Sequence, residues 1–581
     1  MVSSAALSSI PCVSARGVPS RCLVRSQCRQ GGQSLPARFR PMNPRLLATA
    51  FVAALAACSP APSTTTAPAP AQPAPQPAPA EPAARELPQN WHLLDATDDY
   101  PGIGLLKAER ELLQGRAPAR TVIVAVIDNG VDTAHAALRP RLWTNPREVP
   151  GNNRDDDNNG YVDDTWGWNL IGGRDGRNVD KDTYEVARLA AQCADSVQRA
   201  RMPTYRDQCP EIQAELQEKR MEAEQILAQV QQIEALLSQI MPYLRRATGV
   251  DTPTVAQVRG IRTANDTVNQ ARQIFLNMDA QGISPQVIAE AKKAYSGQLE
   301  YSYNPRFDPR PIVGDSYPDT SVKRYGNRDV TGPGPEHGTH VAGIVAGMRE
   351  AGATGIASSV RIMALRAVPD GDERDKDVAN AIRYAVDHGA HIINMSFGKG
   401  WSPYKRYVDD AVRYADSRGV LMVHGAGNDG ENVDSVPNFP SPTYLTRDRA
   451  RHWIEVGATS WHTGDSLVAP FSNYGRANVD LFAPGVDIYS TIPDGKFKKE
   501  SGTSMASPVV AGVAALLMSH FPALTAADVK RILIETSTKL PDRMVIRPGE
   551  EGARVQFAEL SASGGIVNAY EAVRAAMAIR P

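Results

Sequence analysis

At 581 residues, 42% hydrophobic and 22% charged, the chain has the composition of a soluble globular protein, with room for roughly three to four domains and a large core. Its formal net charge of -1 excludes the global field that would draw it to nucleic acid or to an acidic membrane surface.

Residues 1–41 are rich in Ser and Arg and lack acidic residues and a periodic apolar face. They read as an upstream extension foreign to the native chain or as a targeting segment. Residues 42–57 read as a secretory signal: Met42-Asn43-Pro44-Arg45 is short and basic, and Leu46 to Ala57 is apolar but too short to span a membrane. Leu55-Ala56-Ala57-Cys58 resembles the lipobox of bacterial lipoproteins. The resemblance implies lipidation at Cys58 and a cell-envelope location, in the outer membrane or facing the periplasm; an unused lipobox would leave a secreted protein. Residues 58–86 form a Pro/Ala-rich linker, extended because dense proline forbids helix and sheet. On this reading Cys193 and Cys209 remain as thiols of the mature chain and are expected to pair in an oxidising compartment. Two unrelated buried cysteines are the alternative.

Globular composition begins near Leu87, and the spacing assigns 87–180 and 305–581 to one domain interrupted by a helical insertion, 181–304. Thr121 to Ile127 is a β-branched run, as in a strand buried on both faces, and it ends at Asp128-Asn129-Gly130. In the loop 151–164, Asp155, Asp157, Asn159 and Asp163 fall at positions 1, 3, 5 and 9 of an Asp-x-Asp-x-Asn-Gly pattern, with Tyr161 at position 7. That spacing suits a structural calcium ion, although Trp166 stands where a helix-loop-helix calcium site has its glutamate; a solvated acidic turn is the bland reading.

Within the insertion, Ala223, Ile226, Val230, Ile233, Leu237 and Ile240 form one apolar stripe, and Ile261, Ala264, Val268, Ala271, Phe275 and Met278 a second. Pro242 and Gly249 to Pro253 separate them, which predicts a helical hairpin with a first helix of about 45 Å. Ser284-Pro285 predicts the start of a third helix. A lid, a docking arm and a self-inhibitory element all suit such an insertion, as does plain packing.

Further on, His337-Gly338-Thr339-His340 opens an apolar helix. Ile392 to Gly398 and Val420 to Asn428 each read as a strand running into a glycine-rich turn, and Ser501-Gly502-Thr503-Ser504 opens another apolar helix. These motifs, in the order Asp, His, Asn, Ser, resemble those of the subtilisin-like serine peptidases, the subtilases. The resemblance covers about 95–180 and 305–540. It implies a three-layer α/β/α fold with a mostly parallel sheet, and peptide-bond hydrolysis through an acyl-enzyme.

In those terms Ser504 is the nucleophile, His337 the general base, Asp128 its orienting partner and Asn428 the oxyanion donor. Met395, Ser396, Phe397 and Gly398, with Ala426 and Gly427, would bind extended substrate by strand addition. No catalytic cofactor is implied, and the partners are polypeptide substrates, the membrane through Cys58, and a protein docked on the helical insertion. Two departures stand out. Asn129 replaces the family's usual Ser or Thr, and the stretch between Cys58 and Leu87 is too short for a folded pro-segment, so ordinary autoprocessing is not expected. A catalytically silent scaffold and an esterase or amidase using the same triad are the competing functions.

Overall fold

The computed structural model describes residues 87–96, 99–202 and 204–579. The extension, signal and linker assigned above, with Cys58, lie outside them. Strand β1 (Val122–Asp128) is the expected β-branched run. Its side chains alternate between two cores, Val122, Val124 and Val126 facing one and Ala125 and Ile127 the other. Burial on both faces explains why no polar residue occurs before Asp128.

Strand β2 (Gly167–Asn169) lies at one edge, and β1 sits between β3 (Val360–Arg366) and β4 (Ile392–Met395). The sheet continues through β5 (Leu421–Gly425), β6 (Trp453–Thr459) and β7 (Leu481–Pro484). Two hairpins stand apart: β8 (Ile488–Ile492) pairs with β9 (Lys496–Glu500), and β11 (Met544–Ile546) with β12 (Arg554–Gln556). With β10 (Thr538–Lys539) and β13 (Gly565–Ile566) the main sheet has nine strands, ordered β10-β13-β7-β6-β5-β4-β1-β3-β2. All neighbours in it run parallel except β10 and β13.

Helices Glu336–Ala346 and Thr503–His520 cover one face, and Asp375–Asp387 and Lys405–Ser417 the other, which gives the three-layer α/β/α arrangement. Thr503–His520 is apolar enough and long enough to cross a membrane, yet 94% of it is buried in the protein. It is the central core helix, and a helix covered on every side needs no polar face.

The insertion departs from its expected outline. Its long helix, Cys209–Thr248, runs through Pro242 for 40 residues, about 60 Å. An interior proline costs about 3 kcal/mol. Here Leu237, Ile240 and Leu244, on both sides of it, are buried in one cluster with Phe275, Met278 and Ile288, and this packing holds the helix together. The helix stops at Gly249, whose left-handed φ of 72° lets its N–H reach Arg245 O. The second stripe is not one helix. Ile261 and Ala264 lie in a break between Val255–Gly260 and Asp266–Ala280, because Asn265 caps the latter by accepting the Val268 N–H at 3.2 Å. Ser284 caps Pro285–Gly297 through the Val287 N–H, as its Ser-Pro pair predicts.

A disulfide joins Cys193, in helix Glu185–Ala194, to Cys209 at the start of the long helix. Buried charges fasten helix Glu185–Ala194 to the main domain. Lys399 Nζ lies 2.8 Å from both Glu185 and Asp375 and donates to Glu373 O, while Arg188 pairs with Glu185 at 2.7 Å. Burial opposes ionisation of Glu185, but Arg188 and Lys399 outweigh it and hold the carboxyl below its ordinary range.

Candidate active site

Asp128 ends β1 at the C-terminal edge of the sheet, where parallel strands open towards a ligand. It is 2% exposed, and its Oδ1 accepts the Asn129 N–H at 2.8 Å and faces His337 Nδ1 at 2.7 Å. A carboxylate only accepts, so Nδ1 carries the proton and Nε2 of a neutral ring is left basic. Asn129 brackets the histidine. Its Nδ2 donates to Gly334 O at 2.7 Å and its Oδ1 accepts the Gly338 N–H at 2.9 Å. The departure from the family's Ser or Thr is thus a two-ended clamp, which a hydroxyl could not span in the same way.

Gly338 is required by close approach. A Cβ there would stand 2.2 Å from Gly130 O and 2.9 Å from Asp128 Cβ. Gly338→Ala should push the helix start away from Asp128 and lower kcat/KM by about 10²-fold, since a displacement near 1 Å costs that much. Peptide hydrolysis measured beside a thermal melt checks this, because a change in melting alone would mean that the backbone contact only stabilises the fold.

Ser504 is the second residue of Thr503–His520 and is 7% exposed. Its Oγ donates to Ser396 O at 3.2 Å, while Ser396 Oγ donates to Ser504 O at 3.0 Å. The helix start is thereby tied to the segment that follows β4. Asn428 Oδ1 accepts both the Thr503 N–H at 2.8 Å and the Thr503 hydroxyl at 3.1 Å. With its oxygen committed to these donors, the amide has its NH₂ available beside Ser504. Asp128, His337, Ser504 and Asn428 line one cleft of about 330 Å³, with Ser396, Phe397, Gly398 and Gly427. Such an arrangement can pass a hydroxyl proton to an imidazole and hold an oxyanion between an amide and a helix start.

A family model described as "Subtilase family" matches residues 119–548. The chain belongs to the subtilase family. It is 37% identical over 269 residues to "Thermophilic serine proteinase" of Bacillus sp. (strain AK1), covering 44% of this chain and 60% of that protein. It is 36% identical over 212 residues to "Subtilisin BL" of Lederbergia lenta, covering 36% of this chain and 73% of that protein. The solved structure of "a cold adapted subtilisin-like serine proteinase" aligns over 42% of this chain and 76% of its own, at 28% identity and a TM-score of 0.32. Subtilases are serine endopeptidases, and the chain is placed in that enzyme class.

Two residues expected to bind substrate do not line the cleft of this subtilase. Met395 is fully buried: its backbone pairs within the sheet, and its side chain belongs to the second core. Ala426 is equally buried, with its carbonyl taken by the amides of Asn438 and Asn473. Gly425, which the motif reading included in the turn but did not assign to substrate, lines the cleft instead. Three residues of the insertion, Lys181, Tyr184 and Lys293, also line it, so the insertion forms part of the cleft wall.

The acidic loop of this subtilase is rearranged relative to its spacing. The Asp163 carboxylate accepts the N–H groups of Gly151, Asn152 and Asn153 and pairs with Arg328, so it ties the turn together and stands outside the carboxylate cluster of this loop. The Tyr161 side chain packs on Trp168 and Tyr384, and Asn159 is spent on Tyr161 N and Asp164. Asp155 and Asp157 instead converge with Glu148, with oxygens of all three within 4.8 Å of one another. Glu148 is 7% exposed, and its Oε2 is buried without a hydrogen-bond partner. Burial pushes this carboxyl up. The orphaned oxygen fits a cation held by these three residues. Glu148 escaped the spacing because it lies seven residues before Asp155, outside the linear pattern.

Proposed function

We propose that the chain is an exported serine endopeptidase in which Ser504 attacks the scissile carbonyl. His337 takes the hydroxyl proton and returns it to the leaving amine, while Asp128 holds the imidazole tautomer. The carbonyl oxygen becomes an anion between the Asn428 amide and the Ser504 N–H, the acyl-enzyme forms as the amine departs, and water releases the acid by the same proton route. The observation that carries this reading is the 2.7 Å contact between His337 and Asp128 in the cleft that also holds Ser504 and Asn428. Substrate would lie extended along Ser396 to Gly398. A fluorophosphonate probe tests the reading: mass spectrometry should find the adduct on Ser504, and a native preparation without it would refute the assignment.

Export is supported by the apolar run after Met42 and by the Cys193–Cys209 disulfide, which suits an oxidising compartment. Anchoring through a lipid on Cys58 follows from the lipobox-like Leu55 to Cys58. For the acidic loop we propose a structural calcium ion held by Glu148, Asp155 and Asp157. Chelator should lower the melting temperature by several degrees, and Glu148→Gln should abolish the difference between chelated and calcium-loaded protein. Equal melting of the wild-type chain in both conditions would dismiss the ion.

A further inference from the structure

The distal half of the insertion packs as a unit of its own. Its buried cluster, from Ile226 to Ala291, contains no residue of the main domain, whereas the cluster at its base packs against Trp401. The ion pair of Lys292 with Glu234, at 2.7 Å, is likewise internal to the arm. The disulfide and the buried charges fasten only the base. Arg245, near the far end of the long helix, lies about 50 Å from Cys209 along its axis.

The whole chain is nearly neutral, yet this far end is basic. Between Tyr243 and Phe275 stand Arg245, Arg246, Arg259, Arg262 and Arg272, against only Asp251 and Asp266. The first four arginines are exposed and Arg272 is half-buried. None of the five has an ion-pair partner among the described residues. Their hydrogen bonds go to main-chain carbonyls: Arg245 Nε donates to Asp251 O at 2.7 Å, and Arg262 and Arg272 both donate to Arg259 O, at 3.2 and 3.3 Å. Arg272 Nε is buried with no partner at all. Helix dipoles account for Arg245, Arg246 and Arg259, which sit in last turns, but not for Arg262 and Arg272. Two guanidinium groups gathered on one carbonyl repel each other, and only an anion from outside relieves that repulsion. Beside Arg245 and Arg246, the ring of Tyr243 is 44% exposed. An exposed aromatic next to arginines suits the headgroup level of a bilayer.

We infer that the end of the arm docks on an anionic phospholipid surface, with headgroup phosphates received by Arg246, Arg259 and Arg262 and with Tyr243 seated among the headgroups. Guanidinium groups meet phosphate oxygens with paired, charge-assisted hydrogen bonds, and each arginine held near such a surface raises affinity by about fivefold. A lipid chain and a basic patch act together in membrane attachment, so the arm complements the anchor proposed at Cys58. The docking is independent of catalysis by Ser504.

The test compares the full chain with a variant carrying Arg246→Gln, Arg259→Gln and Arg262→Gln, by co-sedimentation with phosphatidylcholine vesicles containing about 30% phosphatidylglycerol. Both proteins share residues 1–86, so the difference between them reads the arm. The wild-type chain should bind about 10²-fold more tightly than the variant, and the gap should close as salt rises from about 0.05 to 0.5 M. On pure phosphatidylcholine the two should bind alike. Lysine at the same three positions should keep the affinity within about threefold of wild type, which separates loss of charge from loss of fold. Equal binding of wild type and glutamine variant to the anionic vesicles would overturn the inference, as would a lysine variant as weak as the glutamine one. Arginine-dependent retention on heparin without arginine-dependent vesicle binding would also overturn it, and would assign the patch to a soluble polyanion.

Discussion

Replacing Ser504 by alanine should lower kcat for peptide hydrolysis by about 10⁶-fold, and Asp128 by asparagine by about 10⁴-fold, by analogy with triads measured in serine proteases. The two losses differ in kind. Without Ser504 no acyl-enzyme forms, and what remains is the oxyanion site acting on water. Asparagine at 128 can still meet His337 Nδ1, 2.7 Å from the present carboxylate. It would do so as an amide donor as readily as an acceptor, which favours the wrong tautomer and forfeits the negative charge that steadies the imidazolium. Progress curves with one peptide, read against fluorophosphonate labelling, check both. An Asp128→Asn enzyme with near wild-type kcat would remove Asp128 from the proposed triad.

Lys399→Met should destabilise the fold by about 3–5 kcal/mol, the usual cost of stranding buried carboxylates. The lysine side chain is 2% exposed, and those of its partners Glu185 and Asp375 are 0% and 3% exposed. Burial alone would lower its pKa, but Asp375 and Glu185 raise it well above the ordinary lysine range. Methionine replaces the stem and leaves the two carboxylates without that cation. Arg188 still serves Glu185, but Asp375 loses its ion-pair partner. Such carboxyls have folded-state pKa values above their unfolded ones. The variant should therefore recover stability as pH falls and the carboxyls take up protons, so its deficit at pH 5 should be smaller than at pH 8. Chemical denaturation at the two pH values checks the sign. An unchanged midpoint at neutral pH would show that the network contributes nothing net. Because Lys399 follows Gly398, any loosening should also reach the cleft.

Much of the fold was legible because it depends on local pattern. A β-branched run without polar residues has to be covered on both faces, and β1 is. The apolar, small-residue stretch after Ser504 has to be a core helix, and it is. The Ser284-Pro285 pair predicts a helix start from backbone chemistry alone. Pro242 misled for the converse reason, since its local penalty is outweighed by contacts between residues far apart in the chain.

For the candidate site, the residues and spacing of the sequence by itself determined which side chains are chemically suited to the reaction: a carboxylate closing a buried strand, and a histidine and a serine at glycine-flanked helix starts. The tertiary structure decided how they are held and what surrounds them. Only there does Asn129 become a clamp bridging Gly334 and Gly338, and only there does Glu148 displace Asp163 from the acidic cluster. Folding likewise turned Met395 and Ala426 inward and set Asp372 and Glu373 in the cleft wall with Ser504. The physical reason is range. Covalent spacing constrains neighbours along a strand or a turn, whereas a side chain's direction and partners depend on which distant segment packs against it.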